Sequence, residues 1–227
     1  MTRQTFDQEL ERLQDEVLIL GNMVENALME SVRILKKRDF EGSRCLIAQD
    51  RCINEKRFAI EDDVLALIAT QQPMARDLRV LAAVLEIITE LERIGDYAKG
   101  IARINLMIGE KPLLKPLIDI PGMAEKARNM LHRALEAFVW RDVDLARAIP
   151  QDDDQVDNLY NQVYRELLTL IMSDPRVIEQ ASYLLWVAHN LERTADRVIN
   201  LCERVVFTVT GEMVELGTHD TGIAEVN

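Results

Sequence analysis

Eight side chains in this sequence have the types and spacing to gather around a cation. Glu92 and Asp96 stand four apart in Glu92-Arg93-Ile94-Gly95-Asp96, and Glu192 and Asp196 do so in Glu192-Arg193-Thr194-Ala195-Asp196. Acids at i and i+4 share one helix face, with Cβ atoms roughly 6 Å apart, and repel by a few tenths of a kcal/mol unless compensated. Asp153 and Asp157 have the same spacing, and Asp50 with Asn54 is their counterpart earlier in the chain. Glu92 also continues an apolar stripe through Leu78, Leu81 and Leu85, as Glu192 does through Ile178, Ala181 and Leu185. An acid in such a stripe is costly unless it has a partner. Facing pairs on antiparallel helices about 8–10 Å apart bring four oxygen-bearing side chains to one place. Carboxylates without His or Cys suit hard cations: Mg²⁺, Mn²⁺, Ca²⁺ or oxidised iron. The competing reading is ordinary ion pairing with Arg57, Arg93 or Arg193; the repetition of the pattern brings the cation reading level with it.

The elements that must position these groups are helices. Apolar residues recur with the helical period over 6–37, 39–70, 74–108, 121–140, 142–172 and 175–213. Asp39, Asp142 and Asp174 precede helix starts as N-cap acceptors, the last with Pro175 at the first turn, where the missing N–H costs nothing. Pro150 falls inside the fifth helix and is expected to kink it. Pro112, Pro116 and Pro121 mark 109–120 as a linker, and the stretch 214–227, without periodicity, is expected to be a disordered tail.

The halves on either side of the linker resemble each other. Arg38-Asp39 recurs as Arg141-Asp142, and Asp50 and Asn54 meet Asp153 and Asp157, at an offset of 103. Leu85, Leu91, Glu92, Arg93 and Asp96 recur 100 positions later as Leu185, Leu191, Glu192, Arg193 and Asp196. This is a tandem repeat of three helices each. The expected fold is all-α: two tandem three-helix bundles, over 1–108 and 121–213, built from six long antiparallel helices in an elongated molecule.

Composition agrees. With 9 glycines, 6 prolines and 5% aromatics, the chain is short of the turn formers and aromatics that sheets use. Its 48% hydrophobic content is too high for disorder. A net charge of −12 repels phosphate backbones, so nucleic acid is excluded as a primary partner. No apolar run approaches the ~18 residues of a membrane span, and the first residues do not read as a signal peptide, so a cytoplasmic chain without membrane insertion is expected. Cys45, Cys52 and Cys202 have no disulfide or zinc spacing and read as small apolar residues. None of His132, His189 and His219 follows a glutamate by three positions, so the Glu-x-x-His pair of di-iron bundles is missing. Nucleotide-binding and nucleophile-elbow motifs are also missing. An enzyme is therefore not expected; a metal-free structural scaffold is the main alternative, and a carboxylate-bridged metalloenzyme a weaker one.

Gln72-Pro73-Met74-Ala75-Arg76-Asp77-Leu78-Arg79, Leu91-Glu92-Arg93-Ile94-Gly95-Asp96 and Asn190-Leu191-Glu192-Arg193-Thr194-Ala195-Asp196 together resemble the PhoU family over about residues 6 to 213. The resemblance implies two three-helix bundles and a homodimer. It implies a negative regulator of phosphate uptake and of the phosphate-starvation response, an adaptor between the phosphate ABC transporter ATPase and a membrane sensor histidine kinase. It also implies one multinuclear metal site per bundle, here Asp153, Asp157, Glu192 and Asp196 in the second and Asp50, Asn54, Glu92 and Asp96 in the first. Asn54 stands where the family pattern expects an acid. Gly100 stands where the second half has Asn200, so a weaker first site is expected.

Overall fold

The computed structural model describes residues 3–217, with side chains from Thr5. Helices α1 (Arg3–Lys37), α2 (Phe40–Gln71) and α3 (Ala75–Ile108) form the first bundle; α4 (Asp119–Trp140), α5 (Val143–Ala148), α6 (Asp153–Ser173) and α7 (Ile178–Thr210) form the second. No strand occurs among the described residues.

The repeated Arg-Asp dipeptide explains two of the helix breaks. Arg38 and Arg141 both take a left-handed conformation, φ 57° and 55°, which ends the preceding helix by turning its carbonyls away from the helical path. The following aspartate then caps the next helix: Asp39 accepts from the Gly42 N–H at 2.8 Å and Asp142 from the Leu145 N–H at 2.9 Å. Asp174 likewise accepts from the Arg176 N–H and opens a 3₁₀ turn, Pro175–Val177, ahead of α7.

Pro150 does more than kink the fifth helix. α5 ends at Ala148, and Ile149–Asp152 is a 3₁₀ turn before α6. Proline has no N–H to give to the carbonyl four residues back, and the tighter 3₁₀ path carries the chain through the gap. In the first half, α2 runs unbroken for 32 residues.

The bundles do not stand apart. One hydrophobic core extends from Phe6 to Val206, and the most extensive helix pairing is α3 with α7, across the repeat, supplemented by α1 with α4. α3 and α7 run antiparallel. Arg204 Nη1 lies 2.9 Å from Glu86, Asn200 donates to Glu90 at 3.1 Å, and Asn190 Nδ2 lies 3.0 Å from where a Cβ on Gly100 would stand. Glu90 is buried in this seam, where Arg93 and Arg197 also donate to it; a buried carboxylate needs this many donors. Asn200 therefore serves the seam between bundles, while Gly100 lets Asn190 approach.

Residues 211–217 fold back onto the body. Val214 and Leu216 pack on the core, and the Leu216 N–H donates to Glu203 at 3.1 Å. The tail expected to be disordered from 214 thus begins with packed residues; 218–227, with His219, lies outside the described residues. Cys202 is buried, as expected of a small apolar residue, but Cys45 and Cys52 are exposed. Met107 and Met172 are exposed too. No helix among the described residues is long and apolar enough to cross a membrane.

Candidate metal centres

In the second bundle, α6 carries Asp153 and Asp157 on successive turns and α7 carries Glu192 and Asp196. Asp153 is buried, and Asp157, Glu192 and Asp196 are half-buried. Burial raises the Glu192 carboxyl to about 7, and the charges of Asp196, Asp157 and Asp153 push the same way against Arg193. Arg193 itself pairs with Asp196 at 2.7 Å. Glu192 Oε2 is buried and makes no hydrogen bond. Its close neighbour is His189 Nδ1 at 3.3 Å, outside hydrogen-bond geometry. The His189 ring contacts Trp186 and Tyr160.

In the first bundle, α2 carries Asp50 and Asn54, and α3 carries Glu92 and Asp96. Asp50 is buried and Glu92 half-buried. The Glu92 carboxyl is raised by burial and by Asp96 and Asp50, with Arg57 and Lys99 opposing. Lys99, which the acid pattern leaves out, stands among these groups. Its Nζ donates to Asp50 Oδ2 at 2.6 Å and to Asp96 Oδ1 at 3.0 Å. The Asp50 hydrogen bond holds the Lys99 ammonium above its ordinary pKa. Asn54 Nδ2 donates to Asp50 Oδ2 and to the Asp50 carbonyl, both at 3.1 Å. Asn54 thus spends its amide as a donor to the carboxylate beside it. A cavity of about 880 Å³ between α1 and α2 adjoins this cluster, with Met23, Ala27, Met29, Leu46 and Ile53 on its apolar wall and Asp50, Gly95 and Lys99 beside them.

The ion pairs expected of the neighbouring arginines form only in part. Arg93 turns to Glu90 and Arg57 pairs with Glu61; only Arg193 binds a residue of its cluster. Among the described residues, no three His, Cys, Asp or Glu side chains converge on one metal-sized point; the carboxylates occupy successive turns along each helix pair. The two donor sets differ in fit to a hard cation. The second has four carboxylates, one with an orphaned buried oxygen and a raised pKa, which is the electrostatic demand a cation would meet. The first already holds an ammonium between two of its carboxylates, and the two cations would compete for the same oxygens.

Lys99 was within reach of sequence reasoning. It follows Glu92 by seven and Asp96 by three, which places it on the same helix face, and the repeat puts Ile199 at the matching position. In the Gln72–Arg79 motif, Arg79 reaches the far end of the neighbouring bundle. Its Nη1 lies 3.1 Å from where a Cβ on Gly211 would stand, and Gly211 takes φ 79° as the C-cap of α7.

Fold and clusters together define an all-helical protein of two repeated bundles with paired acid clusters in matching places. The model of the PhoU domain matches the chain twice, at residues 17–104 and 120–205, and the chain belongs to the PhoU family. It is 37% identical over 220 residues to the phosphate-specific transport system accessory protein PhoU homolog of Clostridium acetobutylicum, covering 95% of this chain and 99% of that one. It is 33% identical to the phosphate-specific transport system accessory protein PhoU of Escherichia coli, covering 91% and 86%. The crystal structure of the phosphate transport system regulatory protein PhoU from Streptococcus pneumoniae superposes with a TM-score of 0.86 at 33% identity, covering 93% of this chain and all of that one. That of PhoU from Pseudomonas aeruginosa gives 0.85 at 31% identity, over 91% of this chain.

Proposed function

We propose that this chain is a cytoplasmic, non-enzymatic accessory protein of phosphate-specific transport. In this reading it is a negative regulator that links the phosphate ABC transporter ATPase to a membrane sensor histidine kinase, and it acts as a homodimer. The observation that carries the reading is the double match to the PhoU domain over both bundles, together with relatives named for phosphate transport along nearly the whole chain. Long helical faces offer docking surfaces, and the seam of α3 and α7 holds the bundles in a fixed relation. Transporter state would alter docking, and docking would hold the kinase in its phosphatase-like mode.

In the second bundle, Asp153, Asp157, Glu192 and Asp196 would hold a hard cation: Mg²⁺, Mn²⁺, Ca²⁺ or Fe³⁺. Such an ion supplies positive charge and oxygen coordination that order the acid cluster. The orphaned Glu192 oxygen supports this assignment. Glu192 is the residue that gains most, because ionising it costs free energy while the cluster is uncompensated.

Deletion of the gene in a host carrying a phosphate-responsive reporter tests the regulatory reading. Derepression in high phosphate is expected, and a reporter that stays silent there overturns it. Co-purification with the transporter ATPase tests the partner, and Mn²⁺ titration of Asp157→Ala with Glu192→Ala against the unchanged chain tests the metal.

A further inference from the structure

We infer that the first bundle carries its own cation, the Lys99 ammonium, in place of a metal ion, so that only the second bundle is a metal site. The inference rests, for its second half, on the metal reading of Asp153, Asp157, Glu192 and Asp196 given above.

Three observations lead to it. Lys99 Nζ sits 2.6 Å from Asp50 and 3.0 Å from Asp96, and so joins α2 to α3 between the carboxylates that would have to bridge a metal. Asp50 is buried, and both Lys99 and Asn54 donate to its Oδ2. A metal at Asp50 would have to displace an ammonium and an amide donor from one oxygen, leaving the Lys99 charge half-buried and facing a second cation. In the second bundle the position matching Lys99 is Ile199 and the position matching Asn54 is Asp157. Both departures act in one direction: the first cluster gains a positive group and loses a negative one relative to its twin. Arg57 adds a further cation within electrostatic reach of Glu92.

The two bundles therefore use one scaffold differently. The first is closed by a covalently attached cation that never dissociates, so its helix pairing does not respond to metal supply. The second, with Ile199 at the matching place and a fourth carboxylate in Asp157, would take an exchangeable ion.

Two measurements test this. Mn²⁺ binding is followed in the full chain, in Asp157→Asn with Glu192→Gln, and in that pair with Lys99→Ile and Asn54→Asp added. Loss of all Mn²⁺ binding in the second protein and its return in the third is expected. Undiminished binding in the second protein, with Lys99 intact, overturns the inference. Urea unfolding in excess chelator then reads the internal cation without any metal. Lys99→Ile and Lys99→Gln are expected to unfold at lower urea than the unchanged chain, and Lys99→Arg near it. Unchanged midpoints in Lys99→Ile and Lys99→Gln overturn the inference. If the unchanged chain binds no Mn²⁺, the metal reading of the second bundle fails by itself, and the urea series still decides the role of Lys99.

Discussion

The acid clusters of the two bundles occupy the same places in the repeat and solve the same electrostatic problem in different ways. Around Asp50, Glu92 and Asp96 the charge is met from within, by Lys99 and by the Asn54 amide. Around Asp153, Asp157, Glu192 and Asp196, Arg193 pairs with Asp196, His189 stands beside Glu192, and the Glu192 carboxyl is raised by burial and by its acidic neighbours. The repeat places carboxylates at matching positions in both halves but leaves their charge balance unequal. One matching position differs between them: the first cluster has the Lys99 ammonium where the second half has Ile199.

The largest effect is expected from removal of the internal cation. Lys99→Met leaves buried Asp50 facing Asp96 and Glu92 with only the Asn54 amide to offset its charge, and should cost about 2–4 kcal/mol, as expected when one partner of a largely buried pair is removed. Chemical denaturation in chelator measures it; a loss below about 1 kcal/mol would mean that solvent already screens the pair.

A smaller effect should follow from pH. In metal-free protein the Glu192 carboxyl is raised to about 7, against about 4.3 in the unfolded chain. The unfolded state therefore releases its proton first. Stability falls as pH rises from about 4.5 to 7 and levels off above that. The groups that face Glu192 are Asp153, Asp157, Asp196, Arg193, His189 and Tyr160. Glu192→Gln should remove a slope of roughly 1–2 kcal/mol between pH 5 and 8, after allowance for solvent at a half-buried group. Thermal unfolding at several pH values in chelator checks it, and an unchanged slope would move the electrostatic strain elsewhere. Mn²⁺ should flatten the same slope in the unchanged chain, because bound cation favours the ionised carboxylate.

Placing the first bundle's solution in the second should sharpen the contrast. Ile199→Lys supplies an ammonium one turn beyond Asp196 but gives up the packing of buried Ile199 against Gly217, so metal-free stability should fall by about 1–2 kcal/mol while Mn²⁺ binding at that cluster weakens. The last variant is Asn54→Asp alone. It takes the amide donor away from Asp50 Oδ2 and sets a second carboxylate beside it, which Lys99 offsets only in part, and stability should fall by about 1 kcal/mol. Calorimetry of both variants with and without Mn²⁺ reads these outcomes.

Much of the fold was legible because helix ends are local events. The Arg-Asp pairs at 38–39 and 141–142 and the Asp174-Pro175 start are set by backbone conformation and by capping within a few residues. Pro150 was legible as a defect but not in degree, because periodicity continues across it while the hydrogen-bond ladder does not. The exposure of Cys45, Cys52, Met107 and Met172 was not legible. Helical spacing assigns a face, but which face is covered depends on where the other helices lie.

The helices, their caps, the tandem repeat and the acids on matching faces can be read from residue order, because each depends on neighbours within a few turns of chain. What those acids meet is settled by packing. Lys99 and Asp50 are 49 residues apart in sequence, and Glu90 meets Arg197 and Asn200 across the two halves. Such pairings are fixed by how α2, α3 and α7 pack. Electrostatic energy depends on distance and burial, and neither is written in residue order.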